Sequence, residues 1–129
     1  KLVYITDTGY IPNRFKPLLE NADYYIFESN HDVAQLLQTS RPMFIKQRIL
    51  GDNGHLCNED ASKQLSQFIN PRTKEIVLAH LSQEANHPQL ALDVIENTFR
   101  SQELSLAGVR VRAASQFEPI TLGQLDLNE

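Results

Sequence analysis

The sequence predicts an α/β fold in which strands and helices alternate along the chain. Short runs rich in β-branched and aromatic residues, "LVYIT", "YYIF" and "EIVLA", indicate strands. The longer segments between them carry apolar residues at helical spacing, and glycine, proline or asparagine marks most of the junctions. Strands that alternate with helices are typical of layered α/β domains. The 129 residues, 41% of them hydrophobic and 22% charged, have the composition of a single folded domain.

The first half of the chain is predicted to contain two strands and three helices. Residues 1–6 and 23–29 have the alternation and residue types of strands, and a short helix is expected around 15–21. After the second strand, Asn30 is predicted to cap a helix. A third helix is expected near 44–50, where two glycines follow it.

The second half repeats the alternation. Asn58 is predicted to cap a helix whose first turn is acidic, and residues 75–80 form the most strand-like run of the chain. The clearest helix is expected over "NHPQLALDVIENTFRSQ", where Pro88 falls early and apolar residues follow it. Short strands are expected near 109–113 and 119–122.

Charge and cysteine content narrow the functional classes. Twelve basic residues are spread thinly against sixteen acidic ones, so the formal net charge is −4 and no basic run suggests a nucleic-acid patch. The single cysteine, Cys57, rules out an internal disulfide and suits a reducing cytoplasm. No apolar run approaches the roughly 20 residues of a membrane span, so we expect a cytoplasmic protein without a membrane partner. The strand that starts at Lys1 suggests a fragment of a longer protein.

Polar side chains follow the predicted strands at the points where ligands bind in α/β sheets. Asp7 follows the first strand, Glu28 and His31 follow the second, and His80 follows the third, while His55 lies in a glycine-flanked loop. Each also has an ordinary structural explanation, such as an Asx turn, a helix cap or a buried histidine bonded to a carbonyl. Carboxylate and imidazole together suit a metal ion, but two firm ligands are fewer than the three that a catalytic zinc takes from protein.

Four motifs, "YITDTG", "FESNHD", "KQRILGDNGHLCNEDA" and "VLAHLSQEANHP", occur in the order and spacing of the C-terminal half of WalJ/YycJ-type proteins. The chain resembles this family over residues 1–112. These are bacterial members of the metallo-β-lactamase superfamily, similar to ribonuclease Z and other phosphodiesterases. The resemblance implies that residues 1–129 are a single-domain fragment, the C-terminal half of an αββα sandwich with a mixed sheet and flanking helices. The N-terminal half, which carries the HxHxDH motif, is absent.

The resemblance also implies roles for the candidate residues. Asp7 corresponds to the aspartate that bridges two metal ions, and His80 to the last histidine ligand. His55 corresponds to a catalytic histidine beside the scissile phosphate. Glu28 and His31 occupy a segment for which a substrate-binding role, or a role in supporting the ligands, is expected.

The implied function is that of a metal-dependent hydrolase, a phosphodiesterase or nuclease that uses a hydroxide activated by two divalent ions, zinc or manganese. The fragment alone is expected to be inactive and to bind metal poorly. The expected partners are the missing N-terminal half, a nucleic acid or phosphodiester substrate, and a second copy through the exposed sheet face. Two alternatives remain open, a small-molecule hydrolase of the same fold and a non-catalytic α/β interaction module.

Overall fold

The computed structural model describes residues 1–114, which form one four-stranded sheet with helices. The strands are β1 (Leu2–Ile5), β2 (Tyr24–Glu28), β3 (Glu75–Ala79) and β4 (Arg110–Ala113). The helices are α1 (Lys16–Leu19), α2 (Val33–Gln38), α3 (Met43–Leu50), α4 (Asn58–Phe68) and α5 (Pro88–Ser101). A 3₁₀ turn at Asn13–Phe15 precedes α1. The predicted α/β class is confirmed, and the strand expected near 119–122 lies outside the described residues.

The four strands stand in chain order, β1-β2-β3-β4, and all three pairings are parallel. The sheet of the described residues therefore differs from the mixed sheet that we expected. The reason is that at least one helix lies between each pair of successive strands. Through this helix the chain returns to the edge where the preceding strand began, so the next strand runs in the same direction. All four strands consequently end at the same edge of the sheet.

One face of the sheet carries the hydrophobic core. The strand register places alternate residues of neighbouring strands side by side on this face, and α4 and α5 pack against it. Its buried side chains are Val3, Tyr25, Phe27, Ile76 and Leu78 from the strands and Leu65, Phe68, Ile95 and Phe99 from the helices. The buried hydroxyl of Tyr25 donates to the carbonyl oxygen of Leu19 at 2.7 Å, which ties α1 to the sheet.

The opposite face is less covered near β1. Leu2 and Tyr4 point to this side and are 53% and 62% exposed. Parallel sheets are ordinarily buried on both faces, so these exposed apolar side chains on an edge strand depart from the usual pattern. Farther across the same face, the carboxylate of Glu75 pairs with the guanidinium of Arg112 at the amino end of β3.

Two of the predicted helix caps are wrong, each by one or two positions. Asp32, not Asn30, caps α2 by accepting a hydrogen bond from the backbone N–H three residues later at 3.0 Å. Cys57, not Asn58, is the cap of α4, with its Sγ 3.4 Å from the corresponding backbone nitrogen. Both asparagines are instead buried and hydrogen-bonded to other segments. Buried asparagine satisfies more than one partner, and this requirement overrides the capping preference.

The helices can also be compared with the length and hydropathy of a membrane span. Within residues 1–114, no helix combines the length and the apolar character that crossing a bilayer requires.

Candidate metal centre

Four candidate side chains converge at the edge where the strands end. They are Asp7, Glu28, His55 and His80, and one ligand atom from each lies within 4.8 Å of the others. The distances between individual atoms are short: Oδ1 of Asp7 is 3.6 Å from Nδ1 of His80 and 4.0 Å from Nδ1 of His55. The two imidazole rings lie edge to face, with centroids 5.0 Å apart. This group is the candidate metal centre.

The sheet itself positions three of the four residues. Glu28 is the last residue of β2, the strand between β1 and β3. Asp7 and His80 follow β1 and β3, and both have left-handed backbone conformations, with φ of 60° and 58°. Residues other than glycine adopt such angles uncommonly, and they do so preferentially at functional sites. The turns bring both side chains to the end of the central strand.

Glu28 is the centre of the hydrogen-bond network. Its side chain is fully buried, and Oε1 lies 2.9 Å from Nδ1 of His55 and 2.5 Å from Nδ1 of His80. Oε1 also accepts from the backbone N–H of Asp7 at 3.2 Å, and Oε2 accepts from that of Leu56 at 2.9 Å. One carboxylate thus fixes both imidazoles and the loops on either side of them.

The carboxylate also determines the tautomer of each histidine. Because a carboxylate oxygen only accepts, Nδ1 of both His55 and His80 is a donor. The other ring nitrogen, Nε2, then carries a lone pair when the ring is neutral. A histidine that donates one N–H to a carboxylate and offers the other nitrogen is the arrangement found at metal sites.

Close backbone approach holds the loop that carries His55. A Cβ at Gly9 would overlap the carbonyl oxygen of Gly51, and a Cβ at Gly54 would overlap that of Ile49. The N–H of Gly9 donates to the Asp52 carbonyl at 3.0 Å, so the loop after α3 lies against the loop after β1. Only glycine permits such approach, which is why this glycine-rich segment can bring His55 to Asp7.

The structure does not bring His31 into the group. Its side chain is fully buried, and its Nδ1 lies 3.1 Å from Oδ1 of Asn30. Asn30 in turn donates to the carbonyl oxygen of His80 at 2.8 Å, so His31 contacts the candidate centre through one intermediate residue. Burial lowers the pKa of His31, which favours the neutral ring.

Cys57 is not positioned as a nucleophile. Its side chain is buried at the start of α4, and burial raises the pKa of the thiol. A raised pKa disfavours the thiolate, the reactive form. Cys57 is therefore a small buried side chain and not a reactive thiol.

Comparisons with known proteins give related sequences. The exodeoxyribonuclease YycJ of Bacillus anthracis is 50% identical over 91 residues, which are 70% of this chain and 34% of that protein. The exodeoxyribonuclease WalJ of two Streptococcus pneumoniae strains is 43% identical over 104 residues, 81% of this chain and 39% of WalJ. The chain is similar to WalJ/YycJ-type proteins over most of its own length. The resemblance seen in its motifs is confirmed.

The chain spans between a third and two fifths of the length of these curated relatives. No protein-family model matches it. Among solved structures, a "New Diphosphatase from the PhnP Family" aligns with 91% of this chain and 35% of its own, at 18% identity and a TM-score of 0.46.

Proposed function

We propose that this chain supplies one side of the active site of a metal-dependent nuclease. The observation that supports the proposal most strongly is the convergence of Asp7, Glu28, His55 and His80 on one point at the carboxyl edge of the sheet. Relatives named exodeoxyribonucleases over most of this chain's length support DNA as the substrate class. The chemistry is phosphodiester hydrolysis.

The donor set fits divalent metal ions. Carboxylate oxygen and neutral imidazole nitrogen are ligands that zinc and manganese accept. In this proposal Asp7 would hold the ions through its carboxylate oxygens, and His80 would hold one through Nε2. Two ligands are fewer than a catalytic site needs. The remaining ligands would come from the part of the longer relatives that this chain does not span.

The part of the longer relatives that this chain does not span would also cover the exposed sheet face. Leu2 and Tyr4 of β1 present apolar surface where a second layer would cover it. In the proposal this layer belongs to the longer protein, which is cytoplasmic. A dimer through this face is the alternative arrangement.

Each residue of the centre has a defined task. Glu28 holds His80 by Nδ1, so that Nε2 is the nitrogen that would bind an ion. Glu28 holds His55 in the same way. A protonated His55 can donate a hydrogen bond to the phosphate or a proton to the leaving oxygen. When bound, the divalent ions supply the positive charge that acidifies a water molecule and polarises the phosphate.

The proposal is tested on the protein at the full length of its gene product, because this chain holds too few ligands to test alone. Purified protein, stripped of metal with a chelator, is incubated with a labelled DNA oligonucleotide. We expect no cleavage without metal and stepwise shortening after manganese or zinc is added. Failure to cut DNA with either metal, in a protein that hydrolyses a small ester or lactone instead, would contradict the proposed substrate.

The role of Glu28 leads to a separate prediction. Glu28→Gln keeps the size of the side chain but turns one acceptor into an amide donor, which then faces the N–H groups now bound by the carboxylate. We expect metal affinity to fall by about 10- to 100-fold, as for other carboxylates that orient ligating histidines. Titration of the stripped protein with zinc against a competing chelator measures this change.

Glu75→Gln is the matched control for Glu28→Gln. Glu75 is also a buried carboxylate on an adjacent strand, but it lies at the opposite end of the sheet and pairs with Arg112. Both variants should lower the free energy of unfolding, since each disturbs a buried polar network. Only Glu28→Gln should weaken metal binding. Equal metal affinity in the two variants would contradict the orienting role of Glu28.

A further inference from the structure

A polar cavity adjoins the candidate metal centre on the side of the two histidines. Its volume is about 240 Å³, and its walls come from helix α3 and from four loops: those between β2 and α2, between α2 and α3, between α3 and α4, and between β3 and α5. This volume lies below the roughly 300–1,000 Å³ of a site that encloses a whole small molecule. The cavity fits a portion of an extended ligand that continues beyond it.

Arg41 is the one lysine or arginine among the residues that line this cavity, all of which belong to the described part of the chain. Its Nε donates to Oε2 of Glu84 at 2.9 Å, which joins the α2–α3 loop to the loop after β3. The guanidinium has four further N–H donors, on the two terminal nitrogens. Within residues 1–114 the two terminal nitrogens of Arg41 make no hydrogen bond, and the side chain is 37% exposed.

The Arg41–Glu84 ion pair lines the cavity beside the two histidines, so it can orient a group that binds a ligand there. Glu84 binds Nε and so fixes the plane of the guanidinium, while the two terminal nitrogens remain in the geometry that binds a phosphate by two parallel hydrogen bonds. The overall charge of this chain does not attract a polyanion, because its formal net charge is −4. The guanidinium of Arg41, held beside the reacting centre, is therefore a local positive charge that attracts a phosphate.

We propose that Arg41, oriented by Glu84, binds a phosphate of the DNA strand next to the one that is cleaved. The inference rests on the proposed nuclease function and adds a second phosphate subsite to it. The scissile phosphate would lie at Asp7, His55 and His80, and the strand would continue through the cavity to Arg41. Arg41 is then a binding residue that acts on the polymer and not on the chemical step.

Two variants and two substrates test this subsite in the full-length protein. Arg41→Gln removes the charge and the paired donors. Arg100→Gln is the matched control, because Arg100 also forms an ion pair with a glutamate, Glu96, but lies on α5 away from the cavity. The substrates are a single-stranded DNA oligonucleotide and bis(p-nitrophenyl) phosphate, which has one phosphate only.

For Arg41→Gln, we expect KM for the oligonucleotide to rise by about tenfold, the size of a lost hydrogen bond to a charged group. The loss in kcat/KM should be about ten times larger on the oligonucleotide than on the small diester. The slope of log(kcat/KM) against log[salt] should become shallower by about 0.7, the value for one phosphate contact on a single strand. Arg100→Gln should behave as the wild type.

Two kinetic results would overturn the subsite. Equal losses on both substrates would mean that Arg41 acts on the reacting centre, and no loss on either would leave the Arg41–Glu84 pair as a surface ion pair only. A wild type that cuts neither substrate would refute the nuclease function separately. Oligonucleotide binding in the presence of chelator, followed by fluorescence anisotropy, then decides the subsite: weaker binding by Arg41→Gln supports it, and binding equal to Arg100→Gln overturns it.

Discussion

Asp7→Asn and His80→Asn are each expected to abolish metal-dependent DNA hydrolysis by the full-length protein. Asp7 would lose the negative charge that would bind the cations, and His80 would lose the nitrogen that would complete the ligand set. The loss should exceed the roughly 10²- to 10⁴-fold effect of removing a general acid. Metal content, measured by elemental analysis of the purified variants, should fall together with activity.

Asparagine is the substitution of choice because of the backbone at these two positions. Both residues have φ near 60°, where most L-residues are strained by about 1–2 kcal/mol and asparagine is tolerated. Alanine at either position would mix that strain with the loss of a ligand. With asparagine, the free energy of unfolding of the metal-free protein should stay close to that of the wild type.

Two controls separate metal loss from general damage. Asp93→Ala removes an exposed carboxylate on α5, and His87→Asn replaces an exposed histidine by a residue that can still cap α5. Both should retain metal and activity. Full activity in Asp7→Asn and His80→Asn would remove the two residues from the metal site.

His55→Ala is expected to have the second-largest effect, with a different signature. It should retain the bound metal and slow DNA hydrolysis by about 10²- to 10⁴-fold, because the group that protonates the leaving oxygen is lost. His55 suits this task because Glu28 holds its Nδ1 at 2.9 Å and its side chain remains 28% exposed. Steady-state kinetics and elemental analysis on the same preparation measure both quantities.

A substrate with a good leaving group tests the role of His55 more closely. p-Nitrophenolate leaves without being protonated, so the defect of His55→Ala should shrink strongly on bis(p-nitrophenyl) phosphate. Equal defects on DNA and on this diester would contradict a role as general acid. Loss of metal from His55→Ala would make His55 a ligand instead.

Much of the site could be predicted because parallel strands end at one edge of a sheet. Asp7, Glu28 and His80 each follow a strand-like run, and this pattern alone places them at the carboxyl edge. His55 reaches the same edge from its glycine-flanked loop, through the close approach of Gly9 to that loop.

The central position of Glu28 was not predictable, because a sequence pattern does not determine the order of strands in a sheet. Because β2 lies next to β3, its last residue can contact His80, and the packing of the loop that carries His55 brings the second imidazole to the same carboxylate. Its two imidazole contacts join residues 27 and 52 positions apart. The alternating pattern indicates that a residue lies at a strand end and says nothing about such distant partners.

Arg41 was missed for a related reason. It lies in a short loop between two helices, where an arginine is ordinarily a solvated surface residue. Its contact with Glu84 spans 43 positions and depends on the packing of two loops. The two helix caps were predicted wrongly for the same kind of reason, because tertiary hydrogen bonds of Asn30 and Asn58 compete with local capping.

The central claim is that Asp7 and His80 hold metal at a common point, and a crystal structure of the full-length protein with anomalous scattering data tests it most directly. The account predicts anomalous peaks within about 2.0–2.2 Å of a carboxylate oxygen of Asp7 and of Nε2 of His80. Peaks located elsewhere in the protein, with both side chains free of metal, would contradict it.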